Sequence, residues 1–261
     1  MLGKPTKCSN ARRRATTVLL GFIAVAQAAC ARPPVRPVSA PGSAVALSGG
    51  LSTSMIYLAR VPKGVVVIDL GWWGAERSVR RALRGLGTSS GDVTDVFITH
   101  GHRDHVGAWR LVRSSRFHLA AAERATFIGE RQHRGWIPRA AERVKRSALP
   151  RPGEVDLRTF SRDTAFVFGA DTLRAYVVPG HTAGSAVYLF RGILFLGDAV
   201  TYTRWGGFAP AMRGFSDDPR TAARNLAALW GRVPTHKVHY VCTAHAKCSA
   251  LTPEFLTDVK R

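Results

Sequence analysis

The chain has 261 residues, of which 46% are hydrophobic and 21% charged. That length suits one large domain or two small ones, and the composition excludes an intrinsically disordered chain. The formal charge of +21 raises three kinds of partner: nucleic acid, an anionic membrane surface, or acidic substrates.

The chain starts with Lys4, Lys7, Arg12, Arg13 and Arg14 and no acid, and then runs uncharged from Ala15 to Ala31. A basic start, an apolar middle slightly short of a membrane span and small residues at the end predict a secretory signal over 1–29. The protein is therefore expected to be exported, either periplasmic or anchored as a lipoprotein. Ala28-Ala29-Cys30 partly matches a bacterial lipoprotein signal, with Cys30 lipidated. Cleavage after Ala26-Gln27-Ala28 is the alternative. Residues 30–44, Pro-rich and without periodicity, predict an extended tether, and 45–261 the functional domain.

Without the five basic residues of the start, 33 basic residues stand against 17 acidic ones, or +16. Most are scattered arginines, and the densest stretch, Arg131 to Arg151, has Trp136 as its one aromatic. No nucleic-acid-binding motif accompanies them, so no nucleic-acid partner is expected.

In chain order, Val79, Leu83 and Leu86 recur at helical spacing and Gly87 closes them, predicting an amphipathic helix. Val96-Phe97-Ile98 predicts a buried strand ending near Thr99, and "HVGAWRLV" a helix after it. Between them, on the turn from strand to helix, lies His100-Gly101-His102-Arg103-Asp104-His105. It holds three of the chain's nine histidines. Basic residues and Phe127, Ile128, Trp136 and Ile137 mark a following segment, expected to overlie the site and favour a substrate with an apolar body and an acidic group. Strands are expected over Ala175–Val178, Ile193–Leu196 and the apolar part of "VHYVCTAH". Just past them come His181, Asp198 and His245. Asp218-Pro219 predicts a helix start, with Ala222, Leu226, Leu229 and Trp230 as its apolar face.

A satisfied core histidine explains one His, not three with an acid in six positions. Imidazoles and carboxylates are ligands for Zn²⁺ and similar cations. His100 and His102, two apart on an extended loop, can grip one ion, while Asp104 and His105 face a second. Four side chains are too few for two ions, so His181, Asp198 and His245 are the expected partners. His118, His133, His236 and His239 are expected to be surface or strand residues. Cys242 and Cys248 bracket His245 and either pair or leave Cys242 as a small buried hydrophobe.

The order H-x-H-x-D-H, "PGHTAGS", "LFLGDA" and a late His after a strand resembles the metallo-β-lactamase fold superfamily. "GVVVIDLGWWG", with Asp69 two residues before Gly71, is similar to that family's opening strand and turn. The resemblance covers about Val45 to the C-terminus. It implies an α+β fold, a four-layer αββα sandwich with a two-metal site on one edge. It also implies that His100, His102 and His181 hold one divalent ion, that Asp104, His105 and His245 hold another, and that Asp198 bridges them. Zinc is expected; iron and manganese fit the same donors. A bridging aspartate matches glyoxalase II-like thioesterases and lactonases more than true zinc β-lactamases.

The implied function is hydrolysis of a small-molecule ester, lactone, thioester or amide, through a hydroxide shared by two ions. Asp104 would orient the nucleophile and take its proton. Tyr202, four residues after Asp198, would serve as acid or oxyanion donor; a packed loop aromatic is its alternative. Asp69 would hydrogen-bond behind the ligand loop or serve as a simple turn residue. The competing functions are a β-lactamase, a nuclease or phosphodiesterase of the same fold, and a non-catalytic metal-binding surface protein.

Overall fold

The computed structural model describes residues 40–48, 53–144, 149–203, 207–245 and 248–260. The expected signal 1–29, Cys30 and the tether up to residue 39 lie outside the described residues. Among the described residues no helix is long and apolar enough to cross a membrane.

The first sheet is built from β1 (Ser43–Ser48), β2 (Ser54–Val61), β3 (Gly64–Ile68), β4 (Val93–Phe97), β5 (Arg116–Ala120) and β6 (Asp156–Phe160), in that spatial order. The first three strands pair antiparallel, and β3 through β6 run parallel. Helix α1 (Glu76–Gly85) joins β3 to β4. Between β4 and β6 lie three short helices, α2 (Arg103–Val106), α3 (Arg124–Phe127) and α4 (Trp136–Val144).

The second sheet has the order β14-β13-β10-β9-β8-β7. Its strands are β7 (Thr164–Phe168), β8 (Asp171–Val177), β9 (Ala186–Phe190), β10 (Ile193–Gly197), β13 (Tyr240–Thr243) and β14 (Cys248–Ala250). A small ribbon of β11 (Val200–Tyr202) and β12 (Phe208–Pro210) follows β10, and the helices of this half are α5 (Pro219–Leu229) and α6 (Pro253–Lys260).

Strand alternation puts these elements into four layers. On β2 and β3, Ile56, Leu58, Val65 and Val67 pack outward with Val79 and Leu83 of α1. Their alternates Tyr57, Ala59, Val66 and Ile68 pack inward, where they meet Tyr188, Phe190 and Phe195 of the second sheet. On β9 and β10, Val187, Leu189, Leu194 and Leu196 turn to the far side and bury Leu226, Leu229 and Phe255 of α5 and α6. A side-chain period of two on strands buried on both faces yields one core between the sheets and one under each helical layer. The result is the expected αββα sandwich.

The expected helices at Val79–Leu86 and Asp218–Trp230 are present. Asp218 caps α5 by accepting from Thr221 N at 3.0 Å, with Pro219 in the first turn. The expected helix over "HVGAWRLV" is broken. It becomes the single turn α2 and a separate 3-10 turn over Trp109–Val112. The cause lies in the backbone: Gly107 N–H and Ala108 N–H donate to the carbonyls of Gly71 and Leu70, at 2.6 and 3.1 Å. Those donors are then lost to helix continuation.

Candidate metal centre

All seven expected side chains meet at one edge of the sandwich, past the ends of strands from both sheets. They form two groups: His100, His102, His181 and Asp198, and Asp104, His105 and His245. In the first, His100 Nε2 lies 2.8 Å from His102 Nδ1, and His181 Nε2 lies 3.2 and 3.1 Å from these two. The three contacts cannot all be hydrogen bonds, because each inward nitrogen of a neutral imidazole is either a donor or an acceptor and two of the three must share a role. A tetrahedral zinc ion with Zn–N bonds of about 2.0–2.1 Å asks for nitrogens about 3.3 Å apart, close to what these loops supply.

Asp198 joins the groups. Its Oδ2 lies 3.6 Å from His181 Nε2 and 3.9 Å from His100 Nε2. Its Oδ1 lies 3.5 Å from His105 Nε2 and 3.2 Å from His245 Nε2. Asp104 Oδ2 approaches His245 Nε2 at 3.1 Å and His105 Nε2 at 3.9 Å. Among buried polar atoms without a hydrogen-bond partner are His105 Nε2 and Asp198 Oδ1, both turned into the cluster. Buried polar atoms are as a rule paired, and a donor set of five imidazoles and two carboxylates in two groups fits a pair of divalent ions.

The outward ring nitrogens fix which atom faces inward. Asp69 Oδ2 lies 2.8 Å from His105 Nδ1. Asp69 also accepts from Thr99 N and Thr99 Oγ1, both at 2.8 Å. Thr99 Oγ1, its proton given to Asp69, can accept from His100 Nδ1 at 3.1 Å. Ser216 Oγ donates to Met212 O and so can accept from His181 Nδ1 at 3.2 Å. His245 Nδ1 donates to Thr53 O at 2.9 Å. Each of these four histidines thus presents Nε2 inward, the supporting pattern of metal-binding imidazoles. Asp69 takes the role behind the ligand loop and not that of a simple turn residue, on a left-handed backbone (φ 57).

Local sequence explains the placement. Gly197 ends β10 with φ +52, and a Cβ there would stand 2.9 Å from Thr99 Cβ. The glycine lets the end of β10 pass the ligand loop, so that Asp198 follows directly into the cluster. The loop is gripped by both sheets: Ile98 N donates to His118 O, Ala186 N to Thr99 O and Tyr188 OH to Ile98 O. Cys242 and Cys248 face each other across β13 and β14 and form a disulfide, with Cα atoms 4.0 Å apart. The hairpin it closes carries His245.

The two groups differ in charge. Burial first, then the neighbouring imidazoles, hold His100 and His102 well below the usual histidine range, and burial also lowers His181. Burial opposes charge on His105 too, but Asp69, Asp104 and Asp198 outweigh it and raise its pKa to about 10. His245 is pushed well up in the same way by Asp198 and Asp104.

Two neighbours were not expected from sequence. His133 is not a surface or strand residue: it is buried in the loop before α4, with its ring centroid 4.2 Å from that of His102. Burial lowers its pKa to about 4. Glu123, fully buried after β5, hydrogen-bonds to both ligand loops. Neither carries a sequence signal, since both stand alone in a segment without periodicity. His118 is a strand residue paired with Asp95 at 2.7 Å, and His236 and His239 are exposed. Phe127 and Ile128, expected over the site, are buried in the outer core of the first sheet, whereas Trp136 is 67% exposed. Tyr202 ends β11 with its ring against Phe208, centroids 5.2 Å apart.

An αββα sandwich with this His/Asp cluster on its edge defines a class of metal-binding fold. The sequence profile of the metallo-beta-lactamase superfamily matches residues 49–245, and the chain belongs to that superfamily. A hydroxyacylglutathione hydrolase of Bartonella henselae is 28% identical over 158 residues, 60% of this chain and 51% of that protein. Human metallo-beta-lactamase domain-containing protein 1 is 42% identical over 60 residues, 23% of this chain and 21% of that one. The chain thus spans about half or less of these curated relatives. Among solved structures, an archaeal metallo-beta-lactamase superfamily protein of Sulfolobus tokodaii superposes with a TM-score of 0.62 at 18% identity, covering 85% of this chain and 86% of that one. A metallo-beta-lactamase family protein of Thermus thermophilus does so with 0.61 at 19%, covering 85% and 78%.

Proposed function

We propose that the protein is an exported, metal-dependent hydrolase that cleaves a carbonyl ester, lactone, thioester or amide, with two divalent ions, zinc by its donor set. The observation that carries this is the convergence of two side-chain groups that share Asp198, with buried Nε2 and Oδ1 atoms left for cations. The similarity to a protein named hydroxyacylglutathione hydrolase favours acyl-bond hydrolysis over phosphodiester cleavage.

His100, His102 and His181 would hold one ion and Asp104, His105 and His245 the other, with Asp198 between them. Bound there, the ions would lower the pKa of water toward neutrality and polarise a carbonyl oxygen. Asp104 has its Oδ2 against His245 and, half-buried at the cluster, orients the attacking water and accepts its proton. Asp69 keeps the His105 ring turned so that Nε2 faces inward. Tyr202 is proposed as the donor toward the substrate carbonyl. Tyr202→Phe keeps the ring on Phe208 and removes the hydroxyl; a fall in kcat of roughly 10² is expected, and an unchanged kcat would leave Tyr202 with packing alone.

The test is metal analysis of the purified protein joined to a hydrolysis screen across lactones, thioesters, β-lactams and phosphodiesters. Two ions per chain and turnover of one acyl class other than β-lactams are expected; turnover of β-lactams or phosphodiesters alone would replace this reading with a competitor. For localisation, membrane and soluble fractions of wild type and Cys30→Ser are compared. A shift to the soluble fraction is expected from a lipidated Cys30, and no shift points to ordinary cleavage.

A further inference from the structure

Glu123 closes the 3-10 turn Ala121–Glu123 after β5, with no solvent exposure. Among the described residues its hydrogen-bond partners are three donors and no cation. Oε1 accepts from Gly101 N–H at 2.8 Å. Oε2 accepts from Thr182 Oγ1 at 2.7 Å and from Gly184 N–H at 2.8 Å. Gly101 stands between His100 and His102, and Thr182 follows His181. One carboxylate therefore ties together the two loops that deliver all three imidazoles of the first group.

The two glycines make room for it. A Cβ on Gly101 would stand 2.9 Å from Glu123 Oε1, and one on Gly184 would collide with the Glu123 backbone and Cβ. Burial pushes the Glu123 carboxyl up, while the hydrogen bonds from Thr182, Gly101 and Gly184 pull it back down. The two backbone N–H groups can only donate, so each carboxyl oxygen must accept at least one hydrogen. An ionised group in the dry interior is costly unless hydrogen-bonded and near positive charge. A cation held by the adjacent imidazoles would supply that charge.

We propose that Glu123 is a positioning residue for the first ion: it sets the separation of the His100–His102 loop from the His181 loop, and so the spacing of their inward nitrogens. It touches neither ion nor substrate. The inference rests on the metal-centre reading above. Glutamine is an informative replacement. Its amide NH₂ would face either the Gly101 N–H or the Gly184 N–H, and neither backbone donor can turn away.

The experiment is zinc titration of the purified full chain under chelator competition, with histidine-ring NMR resonances to identify which group fills and circular dichroism to check folding. Wild type, Glu123→Gln, Thr182→Val and Thr182→Ser are compared. Wild type is expected to take two ions. Glu123→Gln should lose roughly tenfold or more in affinity for the first ion, the scale of lost supporting partners, and far less for the second. Thr182→Val should show a smaller loss in the same group, and Thr182→Ser, which keeps the hydroxyl, should bind like wild type.

First-ion affinity unchanged in Glu123→Gln, or an equal loss at both groups, overturns the proposal. Should Glu123→Gln fail to fold, wild-type binding by Thr182→Val does the same. A wild type that takes no zinc brings down the metal-centre reading as well. Two ions bound by wild type with Glu123→Gln unaffected brings down this inference alone.

Discussion

His100, His102 and His181 meet as buried imidazoles that their surroundings keep neutral. Across Asp198, His105 and His245 stand against Asp69, Asp104 and Asp198, which hold protons on them. The first group is anchored in loops fixed by both sheets and by Glu123. The second depends on the half-buried His245, on a hairpin closed by a disulfide. The contrast teaches that one site contains a ready acceptor for a cation and a proton-loaded one. The second must release protons before it can bind metal.

The sharpest way to break this contrast is Asp198→Ala. The first ion keeps three imidazoles and should remain. The second should weaken at least tenfold, since outer partners alone are worth roughly that much. Turnover should fall further than metal content, by more than about a hundredfold, because the nucleophile loses position as well as acidity. The check is metal stoichiometry and turnover beside circular dichroism; two ions and full turnover in the variant would end the dinuclear assignment.

Acidity gives the next largest effect. Above the ordinary histidine pKa the first group has no proton to displace, so its affinity should be flat with pH. At the second group the metal displaces a proton whose His105 pKa is about 10. Its affinity should therefore rise with pH, by up to roughly tenfold per unit for each proton released. Zinc titrations at two pH values between about 6.5 and 9, spanning the range above the ordinary histidine pKa, read the two slopes, and parallel slopes would erase the distinction.

Smaller still is the disulfide. Cys242→Ser with Cys248→Ser opens a short loop, worth about 2 kcal/mol of stability. It should loosen the second ion several-fold and leave the first alone. Denaturant unfolding and zinc titration of the double variant measure both, and a loss confined to the first ion would contradict the picture.

The sequence made much of this legible because its signals are local. H-x-H-x-D-H sits on one turn, and His181, Asp198 and His245 each follow a readable apolar strand. Val79 and Leu83, or Asp218 before Pro219, announce their helices by spacing and capping. Glu123 and His133 were hidden because their meaning is a distance in space. Glu123 bonds to Gly101 and Thr182, 22 and 59 residues away. The break at Gly107 was hidden for the same reason, because its N–H is taken by Gly71 on a separate loop. The disulfide stayed open in the sequence because six residues of separation suit either a hairpin bridge or two independent thiols.

Each sheet is made from one continuous stretch of chain, residues 43–160 for the first and 164–250 for the second. The seven side chains divide along the same line. His100, His102, Asp104 and His105 come from the earlier stretch, and His181, Asp198 and His245 from the later one. Neither half alone owns a complete set for either ion. Tight loading of a metal would therefore wait until the two halves have docked. Bound there, a metal would act late in folding, as a lock on the seam between halves, and removing it should speed the separation of the sheets more than it slows their formation.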